Sequence, residues 1–218
     1  MVDADVAAVS GIARDAAVRT LKAGDPKLGA LIDAVGPCRL SIDTMQSPYE
    51  ALFEAIVYQQ LTGKAAATIF GRVRASFPGR RFPRPADVLA TDDAVLRAAG
   101  LSGPKIRAVR DLSEKAATRR VPSLARLQAM SDDEVVDALT PIKGIGRWTV
   151  EMLLIFRLGR PDVLPVADLG IRKGFAVTYR TRGLPAPERV AAHGERWRPH
   201  RTIASWYLWR AAERARGA

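Results

Sequence analysis

The chain has 218 residues, 48% apolar and 26% charged, enough to bury a core and too apolar for wholesale disorder. Thirty-four Lys and Arg stand against 23 Asp and Glu, a formal net charge of +11 that favours a polyanionic partner. A single cysteine, Cys38, excludes an internal disulfide, a four-cysteine zinc site and an iron–sulfur cluster, and two histidines, His193 and His200, are too few for an ordinary zinc enzyme.

No apolar run approaches a membrane span, and the start Met-Val-Asp-Ala-Asp lacks the basic residues of a secretion signal. A soluble monomer of a reducing compartment is expected, cytoplasmic (nucleoid) if the source is bacterial. The charge is concentrated: residues 170–218 hold 11 Arg and Lys against 3 Glu, which is +8 of the +11. The alternative source of so many arginines is the coding bias of an Arg-rich genome. Arginines interleaved with Trp197, Trp206, Tyr207 and Trp209 suit a surface that meets phosphates and stacks on bases.

Helical spacing runs through residues 4–35, broken at Gly24-Asp25-Pro26. Ser47 is the next N-cap, Pro48 takes the first helical position and Glu50 completes a capping box. Leu52, Phe53, Ile56 and Val57 then form a buried stripe. Thr62 is an N-cap, and 65–77 is helix, stopped by Pro78-Gly79. Arg80-Arg81-Phe82-Pro83-Arg84-Pro85 is a basic, Pro-stiffened loop. Helices follow at 86–90, 93–99 and 104–118. Ser131 to Glu134 is a second capping box, opening a helix to Leu139. A tight turn, Pro141 to Gly146, leads into an apolar helix, Arg147 to Leu158. Residues 162–167 are irregular, and helices resume near 168–177, 187–196 and 199–215. No strand alternation and no long repeat occur, so the fold class is all-α.

The informative stretch is Leu139-Thr140-Pro141-Ile142-Lys143-Gly144-Ile145-Gly146-Arg147-Trp148-Thr149. Glycines there permit positive φ and close backbone approach. The helix that follows presents N–H groups and a positive dipole end, together an anion site for a phosphate. Gly-x-Gly by itself also describes an ordinary turn. It is no dinucleotide fingerprint, because no strand precedes it and the third glycine is missing.

Downstream lies Asp162-Val163-Leu164-Pro165-Val166-Ala167-Asp168-Leu169-Gly170. Hairpin and aspartate together resemble the helix-hairpin-helix-Gly/Pro-Asp superfamily of DNA glycosylases. Tyr58-Gln59-Gln60-Leu61-Thr62-Gly63-Lys64, the hairpin with Gly-Arg-Trp-Thr, and the 201–210 segment Arg-Thr-Ile-Ala-Ser-Trp-Tyr-Leu-Trp-Arg resemble its 3-methyladenine glycosylase II (AlkA-type) branch. The likeness covers about residues 45–212, without room for the N-terminal β domain of longer members.

The resemblance implies two helical lobes flanking a DNA-binding cleft. One lobe would be 43–160, carrying the hairpin; the other would join 1–42 to 161–218, with Asp168 at the junction. Asp168 would be the catalytic carboxylate, although an Asp at a helix start is also a structural cap. Trp148 stands where strand-cutting members carry a Schiff-base lysine, and Lys143 starts from the wrong place on the hairpin. A monofunctional enzyme that leaves an abasic site is therefore expected.

Trp148, Tyr58, Trp206, Met152 and Leu169 would line the base pocket, with Trp197 and Trp209 left to the core. Gln60 or Leu61 would fill the hole left by a flipped base. Lys143, Gly144, Ile145, Gly146, Arg147, Thr149, Thr62, Lys64 and Lys105 would contact DNA, with Arg107, Arg172 and Lys173 as further phosphate candidates. The carbonyls of Thr140, Ile142 and Ile145 would hold Na⁺ or K⁺; no organic cofactor is implied. The partner would be double-stranded DNA with alkylated bases, and no membrane. The alternatives are a glycosylase for another lesion, such as uracil or hypoxanthine, and a non-catalytic hairpin DNA-binding protein.

Overall fold

A computed structural model describes residues 11–43, 45 and 47–217 of the chain. Residues 4–10 of the expected first helix lie outside them. The helices, in order, are α1 (Gly11–Gly24), α2 (Pro26–Val35), α3 (Pro48–Tyr58), α4 (Gly63–Ala75), α5 (Pro85–Ala90), α6 (Asp93–Ala98) and α7 (Gly103–Ala117). There follow α8 (Leu124–Ala129), α9 (Asp132–Leu139), α10 (Arg147–Phe156), α11 (Leu169–Tyr179), α12 (Pro187–Gly194) and α13 (Arg201–Gly217), with a 3₁₀ turn at Glu195–Trp197. Among the described residues there is no strand, and no helix is long and apolar enough to cross a membrane. The protein is all-α.

Helix starts follow the caps. Ser131 and Glu134 make a complete capping box: the Ser hydroxyl accepts from the Glu134 amide and the Glu carboxylate accepts from the Ser131 amide at 2.7 Å. The expected box at Ser47 is only half made. Ser47 accepts from the Glu50 amide at 3.3 Å, but the Glu50 carboxylate turns to Arg81, whose full charge outcompetes a neutral amide. Helix α8 was not expected; Ser123 caps it, accepting from the Arg126 amide. The single helix expected over 187–196 is α12 followed by the 3₁₀ turn.

The chain divides into two compact units, Met1–Thr44 with Glu151–Ala218, and Met45–Val150. The core of the second is the expected stripe Leu52, Phe53, Ile56 and Val57 on α3, packed on Ile106, Val109 and Leu112 of α7. Phe82 anchors the basic loop, meeting Phe53 edge-on at 5.2 Å. Each such large side chain contributes about 1.5–3 kcal/mol by leaving water.

In the other unit, α11 lies directly against α13. Gly174 makes this approach possible, since a Cβ there would sit 1.9 Å from the Leu208 carbonyl oxygen. Asp25, buried and N-capping α2, accepts from Tyr179 Oη at 2.7 Å and Trp197 Nε1 at 3.1 Å and bonds His193 Nε2 at 2.9 Å. The division falls at residue 150, ten residues before the expected boundary. Residues 151–160 side with the other unit because Phe156 stacks on Trp209 at 5.7 Å, its carbonyl accepts from the Asp43 amide, and Gly159 lies against Ile42.

Candidate active site

Asp168 sits just ahead of α11, where the local sequence puts an N-cap. Its Oδ1 accepts from the Ile171 amide at 2.8 Å. The same oxygen accepts from the indole Nε1 of Trp209 at 2.9 Å. Gly170 makes room for that bond: a Cβ there would meet Trp209 Cδ1 at 2.8 Å and Asp168 Oδ1 at 3.0 Å. The stretch before Asp168 is also held. Thr202 Oγ1 donates to the Arg160 carbonyl and accepts from the Val163 amide, and Arg201 Nε donates to Asp162 Oδ1 at 2.8 Å. The carboxylate is thus fixed from both sides along the chain and across to α13. Trp209, expected in the core, is a half-buried residue that positions Asp168. No local signal reveals it, because the partners are 41 residues apart.

The hairpin lies in the other unit. α9 ends at Leu139, the Ile142 amide donates to the Leu139 carbonyl, and the Ile145 amide donates to Ile142 at 3.0 Å. Gly144 takes φ +80°, and a Cβ there would press on the Ala108 Cβ at 3.1 Å. Gly146 differs: its φ is ordinary and nothing stands within 4 Å of where a Cβ would be. Asp111 accepts from the Lys143 amide at 2.8 Å and from Lys115 Nζ at 2.6 Å; burial acts to raise its carboxyl, but these two bonds and the charges of Lys115 and Lys143 outweigh it and hold it below the usual range.

The expected contact residues fall into two groups. Trp148 is 46% exposed, Leu169 51% and Leu61 39%, so all three side chains are open to a partner. Lys64, Lys143, Gly146 and Arg147 are exposed, as is Thr62, which also caps α4. Gln60 is exposed with φ +58°, a left-handed conformation that costs a non-glycine residue about 1–2 kcal/mol. Tyr58 and Met152 are half-buried, Tyr58 lying edge-on to Phe70.

Several side chains are not where the sequence reading put them. Ile145 has its side chain buried, as has Ile142, whose expected role rests on its carbonyl alone. Thr149 is buried with its hydroxyl toward Gln59 Nε2 at 3.4 Å. Trp206 is a core residue, set perpendicular to Tyr207 and covered by the Arg210 guanidinium at 5.3 Å; the indole at the carboxylate is that of Trp209. Lys105 does not reach out: its ammonium donates to the carbonyls of Val57 at 2.6 Å and Gln59 at 2.8 Å, and burial lowers its pKa. Arg172 donates through Nε to the Pro185 carbonyl. Among the described residues no three His, Cys, Asp or Glu come together in a way that could hold a metal ion.

The model of the HhH-GPD superfamily of base excision DNA repair proteins matches residues 53–199. The chain is 41% identical over 170 residues to DNA-3-methyladenine glycosylase 1 of Schizosaccharomyces pombe, a match covering 78% of this chain and 75% of that protein. It is similar to the solved 3-methyladenine DNA glycosylase of the same yeast in complex with abasic DNA, at 38% identity and a TM-score of 0.80, covering 89% and 95% of the two chains. A crystal structure of a DNA-3-methyladenine glycosidase from Bacillus halodurans gives 36% identity and a TM-score of 0.81, covering 92% and 91%.

Proposed function

We propose, on the premise that this chain belongs to the HhH-GPD superfamily of base excision DNA repair proteins, that it hydrolyses the N-glycosidic bond of alkylated purines in duplex DNA and leaves an abasic site. The observation that carries the reading is the carboxylate of Asp168, held by the Ile171 amide and the Trp209 indole. A carboxylate fixed before the reaction begins is what a developing cation needs. As the base leaves, positive charge grows on the deoxyribose C1′ and ring oxygen. A negative charge already in place stabilises that state without reorganisation, an effect commonly worth several kcal/mol in a site that excludes water. Water then adds to C1′, its proton is released, and the products are free base and abasic deoxyribose.

One carboxylate suffices for this substrate class. An N-alkylated purine is already cationic, so it departs as a neutral base without a strong general acid. The same positive charge suits the exposed indole of Trp148, where a cation–π contact contributes about 1–2 kcal/mol once desolvated. Neutral bases gain less, which selects for the damaged ones. Trp148 offers no amine for a Schiff base, so the strand stays intact.

The hairpin serves as the phosphate anchor. Gly146 needs neither a positive φ nor internal space, so its missing side chain matters toward a partner outside the chain. Backbone donors hold a phosphate without reading sequence. The carbonyls of Thr140, Ile142 and Ile145 would hold a monovalent cation that adds charge toward the same phosphate. Ile142 already accepts from Ile145 and retains a second lone pair, which is compatible with that role. Gln60 or Leu61 fills the gap when the nucleotide leaves the stack.

The test is base release from methylated duplex DNA, read by chromatography, with strand integrity checked before and after alkali. The wild type should release 3-methyladenine and cut strands only after alkali, and Asp168→Asn should be slower by at least about a hundredfold. Borohydride with abasic DNA should trap no adduct. Tight binding without release of any methylated base would sink the reading in favour of a non-catalytic binder.

A further inference from the structure

Three residues on one face of α7 touch the hairpin or the loop after α3. Lys105 donates to the carbonyls of Val57 and Gln59. Ala108, one turn on, is the surface against which Gly144 packs. Asp111, one turn further, accepts from the Lys143 amide at 2.8 Å. The spacing i, i+3, i+6 keeps all three on one stripe. Gln59 closes the figure. Its main chain is gripped by Lys105, while its side chain crosses to the hairpin and donates through Nε2 to the Gly144 carbonyl at 2.7 Å. Gly144's oxygen can only accept, so the amide nitrogen must face it.

Gln59 immediately precedes Gln60, the exposed residue in a left-handed conformation. Gly144 begins the Gly-Ile-Gly turn. One side chain therefore spans from the residue beside the exposed loop tip to the hairpin, across 85 positions of sequence.

We propose that Gln59 is a positioning residue that locks the Gln60–Leu61 loop to the hairpin, so that the phosphate anchor and the inserted side chain move as one rigid part. The proposal rests on the glycosylase reading above. Unlocked, the loop can yield when it meets stacked bases, and the cost of extruding the nucleotide is no longer met by binding at the hairpin. Locked, phosphate binding places the wedge against the stack. The role is separate from bond cleavage, so its loss is felt only when a nucleotide must be forced out. Extrusion costs least for an unpaired base.

The experiment compares single-turnover release of one methylated purine from two duplexes, one with the normal base opposite and one with an abasic gap opposite. Gln59→Met keeps length and volume but has no donor. It should slow release about tenfold from the paired duplex and less than about twofold from the unpaired one, with Tm within about 2 °C of wild type. Gln59→Glu, which sets an oxygen against the Gly144 carbonyl, should be at least as slow on the paired duplex. Lys105→Met, which frees the other end, should show the same split and decides the matter if Gln59→Met does not fold. Equal slowing on both duplexes, or none on either, overturns the proposal.

A second readout needs no base release. With 2-aminopurine beside a paired, non-hydrolysable 2′-fluoro analogue of the methylated purine nucleotide, saturating wild-type protein should raise the fluorescence, and Gln59→Met should raise it markedly less; an unchanged rise also overturns the proposal. A wild type that releases nothing from either duplex yet raises the fluorescence counts against the glycosylase reading, while the fluorescence comparison still judges Gln59.

Discussion

Two of the donors to Asp168 differ in kind. The Ile171 amide comes with the helix it caps; the Trp209 indole comes from α13. Trp209→Phe removes the second while keeping an aromatic ring against Phe156. The expected outcome is a rate constant lower by about tenfold with DNA affinity within about twofold, measured by single-turnover release and by titration of an abasic duplex. An equal loss of affinity would show that Trp209 acts on binding. The aspartate and its cap were legible because they obey a contact three residues long. Trp209 was not, because nothing near it in the chain distinguishes a core indole from one aimed at a carboxylate. Lys105 misled for a related reason. A lysine on a basic protein reads as a phosphate contact, but here two backbone carbonyls at the end of α3 accept its hydrogen bonds.

At the scale of elements, capping and close packing carry most of the specificity. The complete box at Ser131 starts α9, the helix that leads into the hairpin, so Ser131→Ala should cost about 1 kcal/mol, read as a lower midpoint in denaturant. A loss well below that would mean that burial of Val135 and Leu139 alone holds the helix. The α11–α13 crossing is less forgiving. Gly174→Ala would drive a Cβ into the Leu208 backbone, which cannot rotate away as a side chain can. It should cost about 3 kcal/mol and displace Trp209, one residue further along α13, with a loss of activity to match. Apolar periodicity and Ser, Asp and Pro at starts made these helices visible in sequence. Helix α8, six residues long, was too short to show a period and rested on Ser123 alone.

Across the whole molecule, charge links stability to pH and binding to salt. Burial acts to raise the Asp25 carboxyl, but bonds from Tyr179, His193, the Leu28 amide and Trp197 outweigh it and bring it from 3.8 to about 2. Burial lowers the His193 imidazole from 6.5 against the opposing pull of Asp25, with Arg196 and Lys27 adding to the lowering. Both groups bind fewer protons folded than unfolded. Their stabilisation is therefore whole at neutral pH. It declines with acid, from His193 as pH falls below 6.5 and from Asp25 between about 3.8 and about 2. The Asp25 share is about 2 kcal/mol. Asp25→Asn should lower Tm at pH 7 and flatten the decline between pH 4 and 2, as followed by thermal melts. An undiminished acid limb in that variant would place the lost carboxylate elsewhere. Salt should act on binding: with a formal charge of +11, affinity for duplex DNA should fall steeply as ionic strength rises.

Composition, periodicity and capping determined that the chain is helical, where most of its helices begin, where the glycine turn before α10 lies, and which aspartate caps α11. These are features with a reach of a few residues, so the linear order states them directly. Tertiary structure alone decided which cation is spent on carbonyls, which tryptophan holds Asp168, why Asp25 is buried with three aromatic partners, and how Gln59 meets Gly144. Each depends on groups tens of residues apart, brought together by burial of apolar surface, a force that has no direction and leaves its pairings unwritten in the local sequence.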